Sequence, residues 1–417
     1  MVLNYVWIGF FLIGFVVALY KVAFLGQMDI FSTMVTNLFD SAKTGFEISI
    51  GLTGMMALWL GIMKIGEHAG VVNVFARGVQ PFFKTLFRGV PKGHPAYGNI
   101  AMNFSANMLG LDNAATPLGL KAMNDLQELN PQKEKASDAQ IMFLVLNTAG
   151  ITLIPSSVIA IRQSMAIEEG LKNFNAAEIF LPILISTFVA FTAGILITSA
   201  FQRINIFKWP VLIFILGFGG AIFGLAAWLR QFPPDVMTRY VGLIGSGVIL
   251  SIIMTFLIAG LRKKLNVYDL FIEGAKEGFT TAIKIIPYLV AMLAAISVFR
   301  SSGCMDYLVS GIAFVVAAMG LNTDFVPAIP VALMKPLSGG GARGLMVDVI
   351  KQNGGVASFP GRIAAIIQGS TETTFYVLAV YFGSINVKDT RYALLCGLLA
   401  DGIGLITAIL VGYLFFH

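Results

Sequence analysis

Residues 362–384 are long enough to cross a bilayer, yet the centre of the stretch is polar. Gln368, Gly369, Ser370, Thr371, Glu372, Thr373 and Thr374 run consecutively without one large apolar side chain. A carboxylate at mid-membrane costs about 2.5–3.5 kcal/mol on insertion scales. Glu372 therefore needs a polar cavity, a partner or a ligand, and the fold must supply it inside a membrane.

Composition agrees with that setting. Hydrophobic residues make up 57% of the 417 positions and charged residues only 12%, against about 25% charged in soluble domains. The bias extends along the whole chain, so it predicts an integral membrane protein without a large soluble domain. The apolar runs are long and lack ten-residue alternation, which argues for helices over a β-barrel. The net charge of +6 is spread over short loops and suits anionic lipid rather than nucleic acid. Cys304 and Cys396 are isolated, and His68, His94 and His417 form no cluster, so neither a metal site nor a disulfide framework is indicated. Residues 3–24 have no basic leader or small-residue cleavage site and are expected to stay as a span.

Further spans are expected over 46–66, 139–162, 179–200, 209–228 and 240–260, with apolar segments at 280–298 and 307–319 and a last span within 391–416. Residues 27–43 are mixed and read as interfacial. Residues 71–90 place Val72, Phe75, Val79, Phe82, Phe83 and Phe87 opposite Arg77, Lys84 and Arg88, the pattern of an interfacial helix. Residues 98–123 are interrupted by Asn103, Ser105, Asn107, Asp112, Asn113 and Thr116, and broken by Gly110 and Pro117. They read as two half-helices around an unwound tip.

The order of these features repeats. Ala42-Lys43-Thr44-Gly45-Phe46 recurs as Ala275-Lys276-Glu277-Gly278-Phe279. In each half a Pro/Gly-broken polar segment follows (103–117; 336–348), then a span with a polar middle (147–152; 368–374), then a plain closing span. The expected architecture is an all-α polytopic membrane protein of two homologous halves with re-entrant or broken helices: a first repeat at 1–205, a connector at 206–240 and a second repeat at 241–417. If 98–123 is re-entrant the halves are inverted, the preferred reading; if it crosses, they are parallel. Paired broken segments at matching positions point to a transporter's binding site, where half-helix ends face the ligand.

The strongest site candidates are Glu372 with Gln368, Ser370, Thr371 and Thr373. The alternative is a structural cluster bonding neighbouring helices, as Ser and Thr often do. Next come Asn103, Ser105, Asn107, Asp112, Asn113 and Thr116 as a binding tip, against a polar hinge that satisfies its own backbone. Asn147 and Thr148 are more evenly balanced. The glycine-rich Ser338–Arg343 run can cradle an anion through backbone N–H groups, but it lacks the Lys-Ser/Thr ending of a nucleotide-binding loop. Asp401 is a lone carboxylate in the last span, equally a cation or proton relay and a packing partner. Intramembrane enzyme signatures are missing: there is no G-x-S-x-G, no H-E-x-x-H and no Cys/His metal spacing.

At residues 107–123, with Asp112-Asn113-Ala114-Ala115-Thr116-Pro117 at their heart, the chain resembles the spore maturation protein A family. At 368–383 it resembles the spore maturation protein B family. The first likeness covers roughly 1–200 and the second roughly 210–417, so the chain looks like a fusion of the two. Both belong to the nucleoside-recognition Gate group, which is similar to parts of concentrative nucleoside transporters. The resemblance implies a multi-pass protein of the bacterial inner membrane, re-entrant hairpins, elevator-like motion and homo-oligomerisation. In spore formers the two proteins are associated with dehydration of the spore core, and the fused form implies a more general transport role. Gln368-Gly369-Ser370-Thr371-Glu372 is only loosely similar to the Gly-Gln-Thr-Glu hairpin motif of the nucleoside transporters.

Together these features lead to the expectation of a secondary transporter of a small polar solute, nucleoside-like or a small carboxylate, with Na+ or H+ as the candidate coupling ion and membrane lipid around it. The alternative is a non-transporting scaffold or sensor that recruits partners.

Overall fold

The computed structural model describes residues 2–110, 112–172 and 174–417; the side chains at 2, 112–114, 234 and 235 lie outside the described ones. The chain is 79% helical, and eight of the described helical stretches are long and apolar enough to cross a bilayer. This is an all-helical, multi-pass membrane protein. In chain order the helices are α1 (Val2–Leu25), α2 (Ile30–His68), α3 (Val71–Leu86), α4 (Ala96–Met108), α5 (Asp112–Glu128), α6 (Asp138–Thr148), α7 (Ser156–Glu168) and α8 (Phe180–Phe201). They continue with α9 (Trp209–Leu212), a π turn (Ile213–Phe218), α10 (Gly219–Leu229), α11 (Pro234–Arg262), α12 (Val267–Ser301) and α13 (Cys304–Ala318). The chain closes with α14 (Ile329–Met334), α15 (Gly339–Gln352), α16 (Phe359–Ser370), α17 (Thr374–Ser384) and α18 (Ala393–Phe416).

The interfacial reading of 27–43 and the separate span at 46–66 are corrected. Residues 30–68 form one helix of 39 residues, because no proline or glycine pair interrupts the pattern between them. α2 packs along α12, and small residues set the approach. A side chain at Gly45 would sit 3.1 Å from the Val290 nitrogen, whereas one at Gly278 would sit 2.6 Å from the Ala57 Cα. Moving up α2 thus moves down α12: the two run antiparallel. α8 and α18 do the same. Gly404 faces Ala190, Gly194 faces Ala400, and Phe201 stacks on Tyr392 at 5.0 Å. Close backbone approach through Gly and Ala is how helices gain packing where burial from water gives no drive.

The expected polar spans are discontinuous. α6 stops at Thr148, whose hydroxyl turns back to Val145 O (3.0 Å), and Pro155, which lacks an N–H, ends the gap before α7. α16 stops at Ser370, where Thr371 is extended (φ −147°, ψ 171°) and α17 begins three residues later. Twelve residues of α16 place this break about 18 Å along the helix, near the middle of a hydrocarbon core about 30 Å thick. α4 and α5 fold back on each other, tied at their open end by Asn99 Nδ2 to Asp125 (2.6 Å). The turn needs Gly110, in the left-handed region at φ +74°, where a Cβ would also meet Ile154 O at 3.1 Å.

The exposed apolar faces match a lipid setting. Leu12, Phe15, Val16, Leu19 and Tyr20 on α1 and Leu243, Leu250, Met254 and Ile258 on α11 lie open. α3 buries Phe82 and Phe83 against Phe104, Phe191 and Phe214 and leaves Arg77, Lys84 and Arg88 exposed.

Candidate functional site

The two helix breaks meet. The N–H of Glu372 donates to Thr148 O at 2.8 Å, joining the second break to the end of α6. Each break is also tied to a neighbouring turn: Leu153 N–H donates to Met108 O at the end of α4 (2.9 Å), and Phe375 N–H to Pro336 O between α14 and α15 (3.1 Å). Irregular backbone at membrane depth is tolerated only when its polar groups are met in this way or face water.

A cavity of ≈ 80 Å³ lies over the junction. Asn107, Asn147, Arg343, Gln368, Thr371 and Glu372 line it, as do Thr152, Ser156, Ser157 and Lys335. The first turn of α7 supplies Ser156 and Ser157. Two cations, one carboxylate and several amides and hydroxyls thus face one space. Several buried atoms around it lack a partner among the described residues: Arg343 Nε, Gln368 Oε1 and Thr371 Oγ1. A space of this size holds a few waters or a very small solute, and is below the usual several hundred Å³ of a ligand pocket.

The expected site residues divide into three groups. Asn107, Asn147, Arg343, Gln368, Thr371 and Glu372 line the cavity. Asn107 Nδ2 donates to Asn147 Oδ1 (3.0 Å), and Asn147 Nδ2 to Phe143 O (2.9 Å). The supporting group is Asn103, Thr148, Ser338, Ser370 and Thr373. Asn103 Nδ2 clips the hairpin through Ala115 O (2.8 Å). Ser338 caps α15, accepting from Gly341 N–H (3.0 Å), so the glycine-rich run is the first turn of a helix rather than an open loop. The Ser370 hydroxyl turns back to Ile367 O (2.8 Å), and Thr373 precedes α17 as its N-cap. Ser105 is buried with its hydroxyl unpaired, and Thr116 is half-buried; neither lines the cavity. The side chains of Asp112 and Asn113 lie outside the described residues.

Glu372 lies at a polar cavity, one of the settings its charge needs. Its side chain is exposed, opening into the cavity, so water meets most of the cost. Near the second break the carboxylate that is buried is Asp401 of α18, 1% exposed. Thr374 Oγ1 donates to its Oδ2, while Oδ1 has no partner among the described atoms. Asp348 is not part of the cavity; it pairs with Arg300, whose Nε donates to Oδ1 at 3.0 Å.

Tyr381 carries no signal in its local sequence. Its buried hydroxyl accepts from Asn103 Nδ2 (3.5 Å) and donates to Asn147 Oδ1 (3.4 Å), linking α17 to α4 and α6. A second unforeseen group lies at the end of the molecule where α7 finishes. Arg162, fully buried, donates to Glu178 Oε1 (2.7 Å) and Val356 O (2.8 Å). Arg362 Nε reaches the same carboxylate at 2.9 Å. The signal was present: one arginine ends the first polar span and the other begins the second, as antiparallel partners require.

At the opposite end, residues 129–137 lie against 385–392. Ala136 N–H donates to Asp389 O (2.9 Å), Lys388 pairs with Glu134 (2.7 Å) and Arg391 with Asp138 (2.7 Å). Burial, and then the hydrogen bond it donates to Asp138, pushes the Tyr392 phenol up to about 12, so it stays a donor at neutral pH. No group of three or more His, Cys, Asp or Glu among the described residues is placed to hold a metal ion.

Comparison with known proteins adds three findings. A family profile, Gate, described as nucleoside recognition, matches residues 49–165 and again 282–388, together more than half of the chain. Each match runs from the middle of a long helix (α2 or α12) through the hairpin and the broken helix. Spore maturation protein A of Bacillus subtilis (strain 168) is 37% identical over 198 residues, 48% of this chain and 94% of that protein. Spore maturation protein B of the same organism is 46% identical over 165 residues, 40% of this chain and 90% of that protein.

Proposed function

The chain belongs to the Gate family of nucleoside-recognition membrane proteins, and from that premise we propose that it is a secondary transporter of a small polar solute in the bacterial inner membrane. The observation that carries this reading is the meeting of the two breaks over a polar cavity, sealed by the Glu372 N–H to Thr148 O bond. A merely structural polar cluster would satisfy its own groups; this one leaves Arg343 Nε, Gln368 Oε1 and Thr371 Oγ1 unmet.

In this reading the halves are inverted repeats. The antiparallel courses of α2 with α12 and α8 with α18 support it, as does a hairpin in each half whose turn abuts its own break. Lys335, Arg343 and the α7 N-terminus favour an anionic or acceptor-rich group on the solute. Glu372 accepts hydrogen bonds from its hydroxyl or amine groups. Asn107, Asn147 and Gln368 discriminate by amide hydrogen bonds. The cavity as it stands, ≈ 80 Å³, is too small for a solute of nucleoside size, which requires the hairpins to move apart.

The test is untargeted profiling of solutes taken up by proteoliposomes carrying the wild type or Glu372→Gln. The wild type accumulates at least one small polar solute, and the variant inserts normally but loses that uptake. Wild-type vesicles that change no solute would establish the scaffold reading instead.

A further inference from the structure

One polar group lies outside the solute site just described. α18 turns a single face, Gly397, Asp401 and Gly404, toward the second break. A Cβ at Gly397 would meet Thr374 Cγ2 at 2.9 Å, and one at Gly404 would meet Thr371 Cγ2 at 2.8 Å and the Ser370 carbonyl oxygen at 3.6 Å. Asp401 lies between them, within one helical turn of each. The break therefore lies directly on the carboxylate.

Two oxygens there are buried and unpaired. Asp401 is 1% exposed and Thr371 3%, yet Asp401 Oδ1 and Thr371 Oγ1 have no hydrogen-bond partner among the described atoms. The Ser370 carbonyl belongs to the last turn of α16, whose final carbonyls have no intrahelical N–H to receive. That end of the helix also carries the negative pole of its dipole. Thr371, the Ser370 carbonyl and Asp401 thus belong to one packed contact between α18 and the C-terminal end of α16, and the carboxylate, the free carbonyl and the helix end all favour positive charge. A buried carboxylate left in this state is costly unless a cation joins it.

We infer that Asp401 Oδ1, Thr371 Oγ1 and the Ser370 carbonyl form a binding site for a small monovalent cation of the sodium type. One formal negative charge matches one positive charge, whereas a divalent ion would normally recruit more carboxylates. The other charged groups within electrostatic reach of Asp401 are Lys335 and Glu372, both of which line the solute cavity. Thr371 also lines that cavity, so it joins the cation site to the solute site. Binding of the cation fixes Thr371 and the end of α16, and through them the break that shapes the cavity. The cation's role as the coupling ion rests on the transporter reading; its binding does not.

The experiment measures thermal unfolding of the purified full-length protein in detergent, with NaCl exchanged for choline chloride at constant ionic strength. Sodium raises the unfolding midpoint of the wild type by a few degrees in a saturable manner, and the rise is lost in Asp401→Asn and Thr371→Val. Asp401→Asn keeps an acceptor for Thr374, so retained helicity and a single size-exclusion peak show that it has folded. Equal midpoints for the wild type in sodium and choline, or a full sodium response in Asp401→Asn, would overturn the site. A midpoint that follows pH rather than sodium, and loses that dependence in Asp401→Asn, would also overturn it by showing a proton site. A sodium response in a protein that moves no solute supports the cation site while refuting the transporter reading, so the two failures are distinct.

Discussion

At the Arg391 end of the molecule, the loop 129–137 meets 385–392 through ion pairs that water reaches freely: Lys388 and Glu134 are 74% and 72% exposed. At the other end, loop 353–358 meets the 169–178 connection in the corresponding way, with Val356 N–H donating to Glu169 (3.1 Å). There the charges are interred, since Arg162 is 0% and Glu178 7% exposed. Exposed pairs contribute about 0–1 kcal/mol, whereas removing one member of a buried set costs about 3–5 kcal/mol. The same loop-on-loop contact is thus held loosely at one end and tightly at the other. On the proposed alternating-access reading, this makes the Arg391 end the easier one to open.

The largest expected effect comes from attacking the tight end. Glu178→Ala leaves Arg162 and Arg362 facing each other without the carboxylate that pairs both, and should destabilise the protein by about 3–5 kcal/mol. Thermal unfolding in detergent measures this; a midpoint near that of the wild type would erase the contrast between the ends. Glu372→Gln should leave that midpoint unchanged and lower solute uptake by about tenfold or more, the worth of roughly one charged hydrogen bond. Tyr381→Phe removes a neutral link between α17 and Asn147, and about 1 kcal/mol of stability is expected to go with it. Smallest is Lys388→Ala with Arg391→Ala: under about 1 kcal/mol in stability, but faster labelling of the cavity from that end. A double variant as destabilising as Glu178→Ala would show that both ends are tightly tied.

Much of this was legible in the residues. Apolar runs gave the spans and Gly110 the turn between α4 and α5, while the polar run at 368–374, read as the middle of a span, is where α16 stops and α17 begins. The continuity of α2 was missed because polar residues such as Asn37, Asp40 and Lys43 look interfacial until α12 and α15 are known to lie alongside. Glu372 drew attention as the expensive group, yet the carboxylate buried near the second break is Asp401. Sequence shows that both are acidic, but only packing shows which one faces a cavity. Tyr381 reaches Asn147, and Arg162 reaches Val356 besides Glu178, across more than 180 residues, and no local spacing reveals such contacts. For Arg162 and Arg362, their mirrored positions in the two polar spans carry the information once the halves are taken as antiparallel.

The central claim is that the polar junction of the two breaks opens to each side of the membrane in turn. Ser157, in the first turn of α7, lines that junction, and the native Cys304 and Cys396 are buried and replaceable by alanine. Ser157→Cys in that background, in membrane vesicles of known orientation, is treated from one side at a time with a membrane-impermeant maleimide. Labelling from both sides, with access from each end abolished by cross-linking its docked loops, is the predicted result. Labelling from one side only, unaltered by either cross-link, would contradict it.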